Sequence, residues 1–201
     1  TDTTNETERT KLVYPTVSQM DDASVEEKVN QLIQTSNQLG PQQYSDTANL
    51  EGSVEVTFLD GETLSLIYSW TLTNPEENTG YPATYLHSLV IDLKTGEQKH
   101  FNDYASVYNV FYQLKYGLYQ IVADSSESDT TARVTVQNLL RNGTVSTDKL
   151  ATADYPLSEA FPPSLFGYVT QDKIGLLIPA SDNIGGSIRV EFDRKDVAKT
   201  E

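Results

Sequence analysis

The chain predicts an α+β fold in which an antiparallel meander packs against two main helices as a single domain. Strand-like alternation occupies both the first half (54–72) and the end (165–192) of the sequence, and apolar residues at helical spacing lie between and before them. Asp60-Gly61 supplies a two-residue hairpin signal between two alternating runs. With 201 residues the chain can bury one sizeable core, so one domain over 11–201 is the expectation.

Residues 1–10 carry no apolar side chain, and a flexible leader is expected there. Leu12 to Val17 reads as an edge strand, because Pro15 cannot donate a ladder hydrogen bond. Ser24-Val25-Glu26-Glu27 reads as a capping box, and Val25, Val29, Leu32 and Ile33 then share one face of a helix from about Val25 to Gln38, stopped by Gly40-Pro41. Val54, Val56 and Phe58 alternate with polar residues. After the Asp60-Gly61 turn, Leu64, Leu66, Tyr68, Trp70 and Leu72 occupy one face of the next strand. A polar loop over 74–82 leads to a third strand, Thr84 to Leu93, which closes at the Asp92-x-x-Thr95-Gly96-Glu97 turn.

Asn102 or Asp103 is placed to cap a long helix with Val107, Tyr108, Phe111, Leu114, Leu118, Ile121 and Val122 on its inner stripe. Residues 131–140 carry both strand and helix signals and lean to helix. Tyr155 to Pro163 reads as a Pro-rich loop. Leu165 to Val169, Ile174 to Ile178 and Ser187 to Phe192 read as three strands, the first two joined at Gln171-Asp172.

Fourteen basic against twenty-nine acidic residues give a formal charge of −15, which repels phosphate backbones and excludes a nucleic-acid partner on electrostatic grounds. The absence of cysteine excludes disulfides, thiolate metal sites and cysteine nucleophiles. No apolar run reaches the ~20 residues that cross a bilayer. The chain opens on a Thr-rich polar tract without an initiator Met, which is the expected look of a tether left by a removed signal sequence. An extracellular protein tethered to the cell surface is therefore expected, with a lipoprotein of a Gram-positive cell surface as the setting.

No motif points to catalysis, and no cofactor or metal site is expected. His87 and His100 stand thirteen residues apart, a spacing that matches no metal site, and His87 has no acidic neighbour within three positions. The carboxylate pairs Asp21-Asp22, Glu26-Glu27 and Glu76-Glu77 fall in caps or polar loops. Ser181 to Gly186 lacks the alternating ligands of a calcium loop and reads as a β-connection with positive φ at Gly185 or Gly186. Neither a Gly-x-Ser-x-Gly elbow nor a phosphate loop is present. Tyr104, Tyr108, Phe111, Tyr112, Tyr116 and Tyr119 form an aromatic run that either binds a ligand or buries against the sheet. The ligand-contact candidates are Tyr81, Tyr85, His87, Tyr116, Tyr119 and Tyr155, on the loops 74–86 and 153–164 and at the end of the long helix.

The order Tyr14-Pro15, helix Val25 to Ile33, strand Leu64 to Leu72, segment Ser88 to Gly96 with its Asp-x-x-Thr-Gly turn, helix after Asp103 and closing strands resembles a family of bacterial extracellular domains. These DUF3298/DUF4163-like domains occur in lysozyme-sensing anti-sigma factors of the RsiV type and beside peptidoglycan deacetylases of the PdaC type. The resemblance covers most of 11–197. It departs at Gly80 to His87, where the family has a Gly-Gly-Ala-His type sequence, and at Pro179 to Ile184, where it has Pro-Tyr-Glu. It implies a small α+β fold, export, and a non-catalytic binding or sensing module, with a cell-wall component or a cationic protein as ligand. Two other readings compete: a cell-wall carbohydrate hydrolase or deacetylase using His87 with a loop carboxylate, and a structural spacer.

Overall fold

The computed structural model describes residues 2–6, 10–37, 49–73, 83–122, 129–154, 165–180 and 186–200. The fold is α+β, and the chain divides into two compact units, Thr1–Gln98 and Lys99–Glu201, each with its own sheet.

The first unit is built on a six-stranded sheet in sequential order: β1 (Asp2–Glu6), β2 (Thr10–Pro15), β3 (Asn49–Leu59), β4 (Thr63–Thr73), β5 (Ala83–Asp92) and β6 (Glu97–Lys99). β3, β4 and β5 form the meander that the alternation predicts, antiparallel throughout. β2 and β3 run parallel, so α1 (Ala23–Asn37) between them is a crossover helix. Two expectations are corrected here. Residues 2–6 are a strand paired antiparallel with 11–15, since backbone pairing needs no apolar side chains, and β2 consequently lies inside the sheet while β1 takes the edge.

The cap of α1 lies two residues ahead of the expected one. Asp22 Oδ1 accepts from the backbone N–H and hydroxyl of Ser24 at 2.8 and 2.7 Å, and from Val25 N–H at 3.4 Å. These bonds, the Ser24 hydroxyl foremost, hold the Asp22 carboxyl below its usual pKa. Val25, Val29 and Ile33 are buried on the inner face of α1, with Leu12, Leu50, Leu64, Leu66, Tyr68, Trp70, Leu89 and Ile91 of the sheet in the same core. A Cβ at Gly52 would overlap Leu12 Cδ1 and press on the Trp70 ring, so a side chain there would force this part of the core to shift. In the turn after β5, Asp92 Oδ1 accepts from Lys94 and Thr95 N–H at 2.8 and 3.2 Å, and Gly96 takes φ +71°.

The second unit holds a four-stranded antiparallel sheet in the order β7 (Gln120–Ile121), β10 (Ser187–Asp193), β9 (Lys173–Pro179), β8 (Phe166–Val169). The three closing strands are those that the sequence predicts. The single long helix is instead two. α2 (Phe101–Tyr104) starts at His100, whose N–H donates to Asp103 Oδ2 at 2.8 Å, so Asp103 sits inside the helix rather than before it. The chain extends at Ala105, which bridges Ala198, and restarts at Ser106 as N-cap of α3 (Val107–Tyr116).

Gly117, at φ +71°, ends α3, and its N–H bonds back to the Leu114 carbonyl at 3.3 Å. The 131–140 segment is helical, as leaned: α4 (Asp129–Arg141) buries Ala132 and Val136. α5 (Thr147–Ala151) and α6 (Arg194–Val197) are single turns. Val110, Leu114, Phe101, Leu150 and Val197 of the helices share one core with Ile174, Leu176, Ile178, Ile188, Val190 and Phe192 of the sheet. Gly186 takes the positive φ expected near the end of its loop; the rest of that loop, 181–185, lies outside the described residues.

Candidate functional site

β5 and β4 place His87 opposite Tyr68 in register, and the two rings stack at 4.5 Å with planes 4° apart. His87 is 1 % exposed. Its Nε2 lies 3.0 Å from the Ser36 carbonyl, and Tyr68 donates its hydroxyl to the Ile33 carbonyl at 3.2 Å. Facing a carbonyl, Nε2 carries the proton and donates. Both side chains thus bond carbonyls near the C-terminal end of α1 (Ala23–Asn37), and that of Ser36 is one of the last four, which a helix leaves without internal partners. Burial pushes the His87 pKa down to about 4, against the Ser36 bond, which favours the charged ring. A His meant for proton transfer in an open cleft needs access and a carboxylate within reach. His87 instead lies under α1 as a helix-end support, buried and not presented to a ligand at the surface as its place among the contact candidates required.

The remaining contact candidates divide. Tyr85 is half-buried against the core of the first unit. Tyr119 is 6 % exposed, which overturns its reading as a surface residue: the chain leaves α3 at Gly117 and turns Tyr119 inward, its ring edge-on to Phe192 at 6.4 Å and covered by the Arg133 guanidinium at 4.9 Å. Tyr81 and Tyr155, and most of the loops 74–86 and 153–164, lie outside the described residues. Tyr116 is exposed at 58 %, as expected.

Tyr116 has company that the sequence placed inward. Tyr108 is 79 % and Tyr112 56 % exposed, so positions i, i+4 and i+8 of α3 form one aromatic face toward solvent. The Tyr112 and Tyr116 rings touch at 4.5 Å with a 44° tilt, and Lys115 Nζ lies 5.8 Å from the Tyr116 ring centre. The inner face is Val110 and Leu114, flanked by Val107 and Phe111.

Asp154 is a second buried titratable group. It closes the turn after α5 at φ +70°, is buried, and accepts from Gly167 N–H at 2.6 Å, with the Tyr104 hydroxyl at 3.5 Å. Burial pushes its pKa up to about 8, although the N–H groups of Gly167 and Phe101 and the Tyr104 hydroxyl pull the other way. A Cβ on Gly167 would strike Phe101 and the Tyr104 hydroxyl, so Gly167 is what lets β8 approach α2 this closely. Asp154 is a neutral or charged staple between α2, α5 and β8 according to pH. No sequence pattern marks it, because an isolated Asp before a Tyr-Pro looks like any loop residue.

A cleft of about 450 Å³ is lined by Gln171, Asp172, Asp193, Arg194, Lys195 and Ala198, with Lys173 and Asp193 paired at 2.6 Å. Its charges of both signs favour no single ligand class. Among the described residues no group of three His, Asp or Glu is placed to hold a metal ion, and no helix is long and apolar enough to cross a membrane.

No family model matches the chain, and no curated protein matches it. Among solved structures the chain is similar to a DUF3298 family protein from Pseudomonas aeruginosa PAO1, at 9 % identity and a TM-score of 0.46, over 99 % of this chain and 91 % of that one. It is similar also to a DUF3298 family member from Bacteroides fragilis NCTC 9343, at 9 % identity and a TM-score of 0.46, over 95 % and 85 % of the two chains. The likeness to RsiV-type and PdaC-type domains rests on the sequence motifs alone.

Proposed function

We propose that this chain is a non-catalytic binding or sensing module of the bacterial cell surface, whose main ligand is a cationic protein. The observation that carries the proposal is the distribution of charge. Residues 1–98 hold sixteen acidic against four basic residues, a formal −12, whereas 99–201 hold thirteen against ten, a formal −3. A field concentrated on one unit raises the encounter rate with a basic partner and orients it toward that unit. The burial of His87, whose ring is occupied by Tyr68 and the end of α1, further favours binding over hydrolysis.

The test is capture of a basic protein such as lysozyme by the full chain. A variant with Glu51→Gln, Glu55→Gln and Glu62→Gln, three exposed acids of the β3–β4 hairpin, is expected to slow association several-fold with little change in dissociation. Equal association by the variant and the parent chain would overturn the assignment of the ligand to the acidic unit.

A further inference from the structure

We infer that the tyrosine face of α3 is a carbohydrate-stacking site for an uncharged chain of pyranose rings. This deepens the reading of the chain as a binding module and rests on it, but it does not depend on the cationic partner. Tyr108, Tyr112 and Tyr116 expose most of their rings at intervals of four residues, so they span about 12 Å along the helix axis, the reach of a short oligosaccharide and not of one sugar.

Charge selects the occupant. In a chain with twenty-nine acidic residues, α3 has none, and its one charged side chain is Lys115. A cationic ligand finds no counter-charge on this helix and meets Lys115 beside Tyr116; a polyanion is repelled by the net −15. An uncharged ligand meets neither obstacle.

A second copy of the chain or another globular protein needs a contact surface of ~800 Å² per partner, much wider than this single row of rings along one helix face. The apolar C–H face of a pyranose ring, in contrast, is matched by a single aromatic ring, and the tyrosine hydroxyls and the Asn109 side chain beside them offer partners for the ring hydroxyls. Asn109 is held in place by its Nδ2–H bond to the Asp196 carbonyl at 3.2 Å, which leaves its Oδ1 as acceptor.

The experiment is calorimetric titration of the full chain with a hexamer of N-acetylglucosamine at low and high salt. It is repeated on the Tyr108→Ala/Tyr112→Ala/Tyr116→Ala chain and on the corresponding triple Phe chain. All three positions are exposed and Ala is the best helix former, so the fold is expected to persist, with circular dichroism as the check. The parent chain is expected to bind with an affinity that salt leaves unchanged, the Ala chain at least tenfold more weakly, and the Phe chain within a few-fold of the parent. No binding by the parent at millimolar sugar, or equal binding by the Ala chain, overturns the site. Lysozyme capture is measured on the same chains: capture that persists in the Ala chain while sugar binding is absent from all removes this inference and leaves the cationic-partner reading standing. Loss of capture in the Ala chain with no effect on sugar shows a protein contact instead.

Discussion

His87 and Asp154 are two buried titratable residues with opposite pH signs, one in each unit. His87 has a folded pKa below its ordinary 6.5, so it contributes stability that is present above pH 6.5 and is lost as pH falls through about 4. Asp154 has a folded pKa above its ordinary 3.8, so its contribution is full below pH 3.8 and is lost as pH rises through about 8. Between pH 6.5 and 8 the loss at Asp154 is still in progress, whereas His87 is neutral in both the folded and the unfolded chain above its ordinary 6.5. Urea denaturation over that range is expected to show the parent chain weakening relative to Asp154→Asn as pH rises; parallel profiles would contradict the buried staple. Replacing His87 by Ala leaves a cavity beside Tyr68 and deprives the Ser36 carbonyl of its donor, at a cost of about 2–4 kcal/mol at pH 7. His87→Gln is expected to remove the acid sensitivity between pH 6.5 and 4, as read from urea midpoints. Neither role was legible in the sequence. His87 stood among strand residues with no sign of which helix end would lie over it, and Asp154 depends on Gly167 and α2, which are distant in the chain.

At the level of single elements, the strands were read more accurately than the helices. Period-two alternation from Leu64 to Trp70 is a long signal that tolerates local error, and β3, β4, β5, β8, β9 and β10 fall where it put them. The helix at 101–116 failed at its boundaries and on its face. An aromatic at Tyr108 fits an inner stripe as well as Phe111 does, and only the restart at Ser106 sets the rotation that buries Val110 and Leu114 and turns three tyrosines outward. Gly96 and Gly117 both hold φ +71°, so each Ala substitution there is strained. Gly117→Ala meets no atom within 4 Å and is expected to cost about 1 kcal/mol. Gly96→Ala also brings a Cβ to 3.0 Å from Lys28 Cβ, against α1, and is expected to cost more. Comparison of the two urea midpoints checks the order, and equal losses would show that α1 does not press on this turn.

For the molecule as a whole, class and charge were readable while the division of labour was not. Composition gives −15, but the concentration of −12 on residues 1–98 acquires meaning only once the chain is seen to divide at Gln98. The division also separates two kinds of surface, an acidic unit suited to attract a basic protein and, on the other unit, a helix face without acids that suits an uncharged ligand. The central claim is that the acidic unit binds a cationic protein specifically, and that its charge does more than keep the chain soluble. The most direct measurement is the affinity of the full chain for lysozyme across salt concentrations from about 0.02 to 0.5 M, over which the screening length falls from roughly 20 Å to a few Å. The account predicts an association rate that drops with salt and a complex that persists at physiological ionic strength. Capture that vanishes with salt, or none at any concentration, would contradict it and leave the chain as a spacer.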